Sequence, residues 1–274
     1  MEVINKEARQ EEIKDLFRST TKKNEEDRYE ILLPWKENHP PLPDNKNIAE
    51  KRLRAVTAKL KKEDLFADYN TVFNTWLLEG VIERVPVENI AVKGHYLPHR
   101  PVIKKGSTTR IRPVFDASAR VKDSPSLNQC LETGPNLIEL VPAILHRFRE
   151  KKIRVVADIA KAFLQISVSP TDRDVLRFLW WNAEEEIEVY RHRVVFGVTS
   201  SPFLLGATIA FHIERVLKST NSPQKRLIYE QMSEAFYVDD CITSVDSRED
   251  LEMFQEEAIS LIKDAKFEKP SIAH

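Results

Sequence analysis

Asp158, Asp239 and Asp240 are the residues of this chain whose setting could do chemistry. Each lies at the edge of a short apolar run, Val155-Val-Ala-Asp158 in one place and Phe236-Tyr-Val-Asp239-Asp240-Cys-Ile-Thr in the other. A hairpin turn carrying two adjacent carboxylates is electrostatically poor by itself, because like charges a few ångströms apart repel. A divalent cation reverses that. If the two strands are neighbours, the carboxylates can converge on two magnesium ions about 4 Å apart, which clamp the attacking and leaving oxygens of a phosphoryl displacement. Either site alone has an ordinary explanation, since aspartates form turns and cap the segment that follows them. The pair is much more specific than either.

For those carboxylates to meet, the chain must supply strands and helices to cover them. Residues 1–28 are polar, with a short amphipathic stretch at Ile13, Leu16 and Phe17 that reads as a helix or a linker. Tyr29 to Trp35 is strand-like and is closed by Pro34, Pro40, Pro41 and Pro43, which no helix accommodates. Between Asn47 and Gly80, the apolar residues Leu53, Val56, Leu60, Leu65, Tyr69, Phe73, Trp76 and Leu77 recur three and four apart. That spacing predicts two helices, with Gly80 just past an end. Val81–Val85 and Ile111–Phe115 read as strands flanking a basic hairpin tip at Lys104–Arg110.

Leu137–Phe148 predicts a helix, and Arg154–Ile159 a buried strand that carries Asp158. Two further strands, Leu176–Trp181 and Ile187–Val195, flank an acidic turn. Ser200-Ser201-Pro202 starts a helix through Val216, by serine capping and a first-turn proline. Ala235–Val245 reads as two short strands around Asp239-Asp240, and a last helix spans Arg248–Ala265. Strands gathered in hairpins between helices predict an α+β fold with an antiparallel sheet.

With 274 residues, 42% hydrophobic and 31% charged, the chain is long enough for one large domain or two small ones with a real core. The composition excludes disorder, and no apolar run approaches the roughly 18 residues of a spanning helix, so no membrane partner is expected. The charged start, Met-Glu-Val-Ile-Asn-Lys, lacks the apolar core of a signal peptide, so an intracellular, cytoplasmic location is expected. Two cysteines, Cys130 and Cys241, cannot frame a disulfide scaffold or a Cys-rich zinc module. His95 and His99 are four apart, but Pro98 and extended flanks argue against a helix that would aim both at one metal.

Formal net charge is −1, yet the charge is segregated. Between Ala91 and Ala157, 13 Lys/Arg face 5 Asp/Glu, a surplus of +8; from Leu227 to His274, 4 face 12, a deficit of −8. Such a division suits a phosphate-binding surface set against a cation-binding one, and also suits ordinary solvated helix faces.

Four ordered motifs carry a resemblance: Arg112-Pro-Val-Phe-Asp116, Val156-Ala-Asp158-Ile-Ala-Lys-Ala-Phe163, Phe196-Gly-Val-Thr-Ser-Ser-Pro202 and Tyr237-Val-Asp-Asp240. They resemble the catalytic set of retroelement reverse transcriptases. Tyr96-Leu-Pro-His99, Ser126-Leu-Asn128, Gly134-Pro135, Phe148-Arg149 and Ile31-Leu-Leu-Pro-Trp-Lys36 add a context similar to the Pao/BEL class of long-terminal-repeat retrotransposons. The likeness runs over residues 29–268. It implies polymerase fingers and palm, with an antiparallel sheet packed on helices and no thumb sequence after it. The implied division is a polar N-terminal segment or linker (1–46), a helical and basic fingers region (47–157) and a palm (158–274), fingers and palm interleaving around 160–195.

The resemblance implies an RNA-directed DNA polymerase core that extends a primer 3′-hydroxyl on an RNA or DNA template with deoxynucleoside triphosphates. Asp158 and Asp239 would be ligands of two Mg²⁺ ions, or Mn²⁺ in their place, with Asp240 a weaker third. Phe163 would select deoxynucleotides by clash with a ribose 2′-hydroxyl, although the ring also suits a plain core. Arg112 would grip the incoming triphosphate. Lys105, seven residues earlier, would be a second phosphate contact or an ordinary surface lysine. Phe196 and Gly197 would line the nucleotide pocket, and Tyr237 would lie near the primer end.

Two features depart from the retroviral pattern: Asn128 falls twelve positions after Asp116, and Lys161 stands where an acidic residue is common. Partners would include other domains of a retroelement polyprotein, in the cytoplasm or in a retroelement particle. A truncated, catalytically impaired remnant that at most binds nucleic acid is the rival reading, and a nucleotide cyclase with similarly placed carboxylates is another.

Overall fold

Two helices form where apolar residues recur between Asn47 and Gly80, because one stripe of each must leave water. The structure, a computed structural model, describes residues 6–103, 110–194, 197–268 and 271–273. The chain opens with helix α1 (Lys6–Thr20), strands β1 (Lys22–Lys23) and β2 (Tyr29–Ile31), helices α2 (Lys46–Lys62) and α3 (Phe66–Leu78), strand β3 (Ile82–Arg84) and the single turn α4 (Val87–Ile90). A hairpin of β4 (His99–Ile103) and β5 (Ile111–Phe115) follows, then the short α5 (Leu127–Cys130), α6 (Val141–Glu150), β6 (Ile153–Asp158) and β7 (Ser167–Val168). Next come β8 (Arg177–Trp181), β9 (Ile187–His192), α7 (Ser201–Ser219) and α8 (Pro223–Ser233). The last four are β10 (Phe236–Tyr237), β11 (Asp240–Val245), α9 (Arg248–Asp264) and β12 (Ser271–Ala273).

These elements gather into two compact units that alternate along the sequence. One holds Met1–Ile31, Thr133–Ser167 and Pro202–His274; the other holds Leu32–Glu132 and Val168–Ser201. The changeovers differ from the sequence boundaries at 46 and 157. The reason is long-range pairing: β6 hydrogen-bonds to β11, far downstream, and α6 packs with them, so the stretch before Asp158 stays with the strands after it.

In the first unit, β6, α7, β10, β11, α9 and β12 make a βαββαβ arrangement with strand order β10-β11-β6-β12, each pairing antiparallel. Alternation along β6 buries Val155 and Ala157 and leaves Arg154, Val156 and Asp158 exposed. Ile209 and Ile213 of α7 are buried, as are Leu251, Phe254, Ala258 and Leu261 of α9. α9 begins at a Ser247–Asp250 capping box. The amphipathic N-terminal stretch is a helix. On α1, Ile13 and Phe17 are buried, and the Phe17 ring lies edge-on to Phe203 and Phe211 at 6.0 and 6.5 Å.

Gly134 of the Gly-Pro motif has φ +80°, and an added Cβ would lie 2.3 Å from Cγ of the buried Phe203. Gly134→Ala therefore combines backbone strain with a ring that has to move. Its expected cost is about 2 kcal/mol, read as a lower urea midpoint at unchanged slope.

The second unit is built on the β8–β9 hairpin, extended by β3 in the order β3-β9-β8. Its core is aromatic: Tyr69, Phe73, Phe178 and Trp180 are all buried. His99 belongs to that core. Its Nε2 faces the Leu179 carbonyl at 3.0 Å, which requires an N–H there, so Nδ1 accepts from the Tyr69 hydroxyl at 2.9 Å. Burial pushes this imidazole down to about 4, which keeps it neutral. His95 Nδ1 meets the Pro43 carbonyl at 2.6 Å. Both histidines are thus engaged with the fold.

Arg177 is completely buried. Its Nε donates to Asp174 at 3.0 Å, and its Nη atoms donate to the carbonyls of Asn89, Val92 and Ile90 at 2.9, 3.1 and 3.3 Å. The basic hairpin pairs β5 with β4 and not with 81–85, since Ile82–Arg84 joins β9 instead. Its outward positions carry Arg100, Val102, Arg112 and Val114.

Candidate active site

Strand β6 ends at Asp158, and β11 begins at Asp240 directly opposite it. Tyr237 of β10 pairs with Asp240, so the two-residue turn of this hairpin is Val238-Asp239. The expectation of a turn built on Asp239-Asp240 is corrected by one residue. The ladder along β6 takes Asp240 as its first partner, and that leaves Asp239 at the tip beside Val238. The Ile159 N–H donates to the Asp239 carbonyl at 3.2 Å, which ties the tip to the end of β6. On the other edge of β6, Ser271 of β12 also pairs with Asp158. Three carboxylates from two distant stretches therefore belong to one corner of one sheet.

Val238 holds φ +59°, a left-handed conformation rare for a β-branched residue. Nothing in its side chain signals that conformation, so sequence reasoning passes over it. The pairing of Tyr237 with Asp240 imposes it, because a two-residue hairpin turn needs a positive φ.

The corner is charged against itself. Burial raises the Asp239 carboxyl above the ordinary range, and the negative charge of Asp158 raises it further. Asp240 is raised by burial, then by Asp239 and Asp158. A carboxyl whose folded pKa is raised holds its proton more tightly in the fold than in the unfolded chain. Stability is then lost as pH climbs from the usual aspartate value through the raised one.

Asp239→Asn should therefore melt above the parent at pH 7.5, by about 1–4 °C after allowing for solvent screening, and lose that advantage near pH 4. Magnesium should raise the parent's melting temperature and raise the variant's less. Differential scanning calorimetry across pH and Mg²⁺ concentration reads both effects.

Among the described residues, no group of three or more His, Cys, Asp or Glu side chains is arranged to hold a metal ion by itself. The donor set nonetheless suits magnesium, a hard cation commonly bound by one or two carboxylates plus substrate phosphates. Asp158 and Asp239 could supply such a pair, and a cation would offset the cost of the Asp239 carboxylate's burial and, after it, of the Asp158 charge beside it.

Phe163 lies on a 3₁₀ turn, Ala162–Leu164, five residues after Asp158 and in the same unit; its ring is half-buried. The turn follows Lys161, which holds φ +51°. Tyr237 is half-buried beside the tip. Arg112 and Gly197 belong to the second unit. Arg112 is exposed on β5, and no ion pair to it occurs among the described residues. Gly197 has φ +78°, and an added Cβ would sit 3.1 Å from Phe115 Cβ, so glycine is needed there for close backbone approach. Lys105 and Phe196 lie outside the described residues. Cys241 is a buried strand residue whose thiol is pushed up to about 12 by burial and the charge of Asp240, which makes it unreactive.

No protein-family model matches the sequence, and no curated protein does. Solved structures do. Over 98% of its length the chain is similar to a crystal structure of prototype foamy virus protease–reverse transcriptase, a selenomethionine-labelled CSH mutant, with 15% identity and a TM-score of 0.54. The native form of that protein gives 17% identity over 95% of the chain, again with a TM-score of 0.54. The fold is that of reverse transcriptase fingers and palm.

The chain covers 31% and 29% of those two proteins' lengths, so it spans under a third of either. Asp158, Asp239 and Asp240 belong to the first unit, and Arg112 and Gly197 to the second. Among the described residues, no helix is long and apolar enough to cross a membrane.

Proposed function

We propose that this chain is the polymerase core of a retroelement reverse transcriptase of Pao/BEL type. It adds deoxynucleotides to a primer 3′-hydroxyl on an RNA or DNA template and releases pyrophosphate. The observation that carries the reading is the register that sets Asp240 against Asp158, with Asp239 tied to the same strand end. The reverse transcriptase-like fold supports it.

Two magnesium ions, when bound, supply Lewis-acid stabilisation of the attacking oxygen and of the charge developing on the α-phosphate. The protein's own work is positional. Asp158 and Asp239 hold the cations, Asp240 adds negative charge beside them, and Tyr237 flanks the primer end. Phe163 stands against the sugar and excludes a 2′-hydroxyl. Arg112 grips the triphosphate with a planar two-pronged donor, assisted by Lys105, while Phe196 and Gly197 line the pocket. The basic stretch from Lys93 to Arg154 meets the template backbone, which makes affinity fall steeply with salt. The remaining domains of a polyprotein complete the enzyme inside the cell.

Primer extension tests the reading. With Mg²⁺ and all four deoxynucleotides, a labelled primer annealed to RNA or DNA should lengthen, and Asp239→Asn should abolish the product. A chain that binds primer–template yet adds no nucleotide under Mg²⁺ or Mn²⁺ would sink the proposal.

A further inference from the structure

Asn128 joins more segments of the second unit than its place on a one-turn helix suggests. The start of α5 is fixed by a capping box, in which Ser126 Oγ accepts from Gln129 N at 3.4 Å and Gln129 Oε1 accepts from Ser126 N at 2.9 Å. Three bonds of Asn128 then leave the helix. Its N–H donates to the Ala117 carbonyl at 3.0 Å, its Nδ2 donates to Ser118 Oγ at 2.9 Å, and its Oδ1 accepts from Thr199 N at 2.9 Å. A backbone N–H can only donate, so the carboxamide oxygen must face Thr199 and the nitrogen must face Ser118.

Those bonds connect two stretches with no strand pairing to each other. Ala117 and Ser118 follow β5, the strand that carries Arg112; Thr199 follows Gly197. Gly197 is itself pressed on the end of β5, where a Cβ would come 3.1 Å from Phe115 Cβ and 3.7 Å from the Phe115 carbonyl oxygen. The segment 197–199 is therefore held to the end of β5 at both of its ends, by close approach at Gly197 and by a side-chain bridge at Thr199.

We propose that Asn128 is a positioning residue for the nucleotide pocket, latching 197–199 to the end of β5 so that Gly197 and Arg112 keep a fixed spacing. The claim rests on the polymerase reading above. Asn128 touches no reacting atom. Its loss lets the pocket wall drift, which weakens nucleotide binding more than it slows chemistry.

The side chain's two ends allow a discriminating test. Aspartate reproduces the bridge, since one carboxylate oxygen accepts from Thr199 N and the other from the Ser118 hydroxyl, which rotates to donate. Leucine, similar in size, makes neither bond. In primer extension, Asn128→Leu should raise the KM for deoxynucleotide about tenfold, the effect of losing one or two ordinary hydrogen bonds, with kcat changed about twofold at most. Asn128→Asp should stay within about twofold of the parent in both.

Amide hydrogen exchange supplies a readout independent of activity. Thr199 should exchange faster in Asn128→Leu and at the parental rate in Asn128→Asp; Asn128→Ala, with less bulk to place, should repeat the leucine result. Exchange at Thr199 unmoved in both Leu and Ala variants overturns the latch, and extension with an unmoved nucleotide KM overturns its role in the pocket. Failure of the parent to extend any primer sinks the polymerase reading instead, and the exchange data then decide the latch alone.

Discussion

Asp158→Asn and Asp239→Asn are each expected to lower the rate of primer extension by about 10³-fold or more, equivalent to about 4 kcal/mol of lost transition-state stabilisation. Each keeps its shape and loses its charge. The two residues come from opposite sides of the same corner, one at the end of β6 and one at a hairpin tip bonded to Ile159, so neither can substitute for the other. Asp240→Asn should cost less, about 10-fold to 10²-fold, because Asp240 adds to a field that Asp158 and Asp239 already set.

The stability measurement guards the interpretation. Relief of a buried charge, and of the Asp158 charge beside it, predicts that Asp239→Asn melts no lower than the parent at neutral pH; a melt that agrees separates loss of activity from loss of fold. Steady-state extension rates on one primer–template, with melting curves on the same preparations, decide the matter. Retention of more than about a tenth of parental activity by either variant would contradict a two-cation site at this corner.

How far the site was legible in the sequence differs from residue to residue. Apolar runs bordered by carboxylates are readable because a strand's burial alternates with period two; β6 obeys it along its length, and β11 obeys it from Asp240 to Thr243 before Ser244 and Val245 are buried as well. Their adjacency is not readable from either run alone; it is what the resemblance carried by the four motifs implies. The exact tip was misplaced by one residue because pairing register, unlike pattern, is settled by the partner strand. Helices α2, α3 and α9 fell where periodicity placed them.

Two elements escaped for different reasons. α8 is short, with only Tyr229 and Met232 buried, too few for a stripe. β12 covers three residues and owes its existence to the free edge of β6. The same limit applies to Asn128, whose importance lies in bonds to residues ten behind and seventy-one ahead of it, which no local spacing reveals.

Phe163→Val is expected to reduce the preference for deoxynucleotides over ribonucleotides by about 10²-fold, the scale on which a shaped pocket separates substrates that differ by one small group. The proposed barrier sits on a turn. Its turn folds back from the end of β6, with Ala162 N bonded to the Ile159 carbonyl at 3.3 Å and Leu164 N to the Lys161 carbonyl at 2.8 Å. The side chain is half-buried, whereas its neighbour Ala162 is buried, so part of the Phe163 side chain remains open to solvent.

A clash acts on the larger sugar only. The kcat/KM for deoxynucleotides should change little, and that for ribonucleotides should rise. A ring that merely filled the core would behave in the opposite way. Phe163→Val would then cost stability, of order 1–3 kcal/mol, and leave the ratio of the two kcat/KM values where it was. Single-nucleotide incorporation of dCTP and CTP opposite the same template base, set beside a urea melt of each protein, distinguishes a selector from a filler.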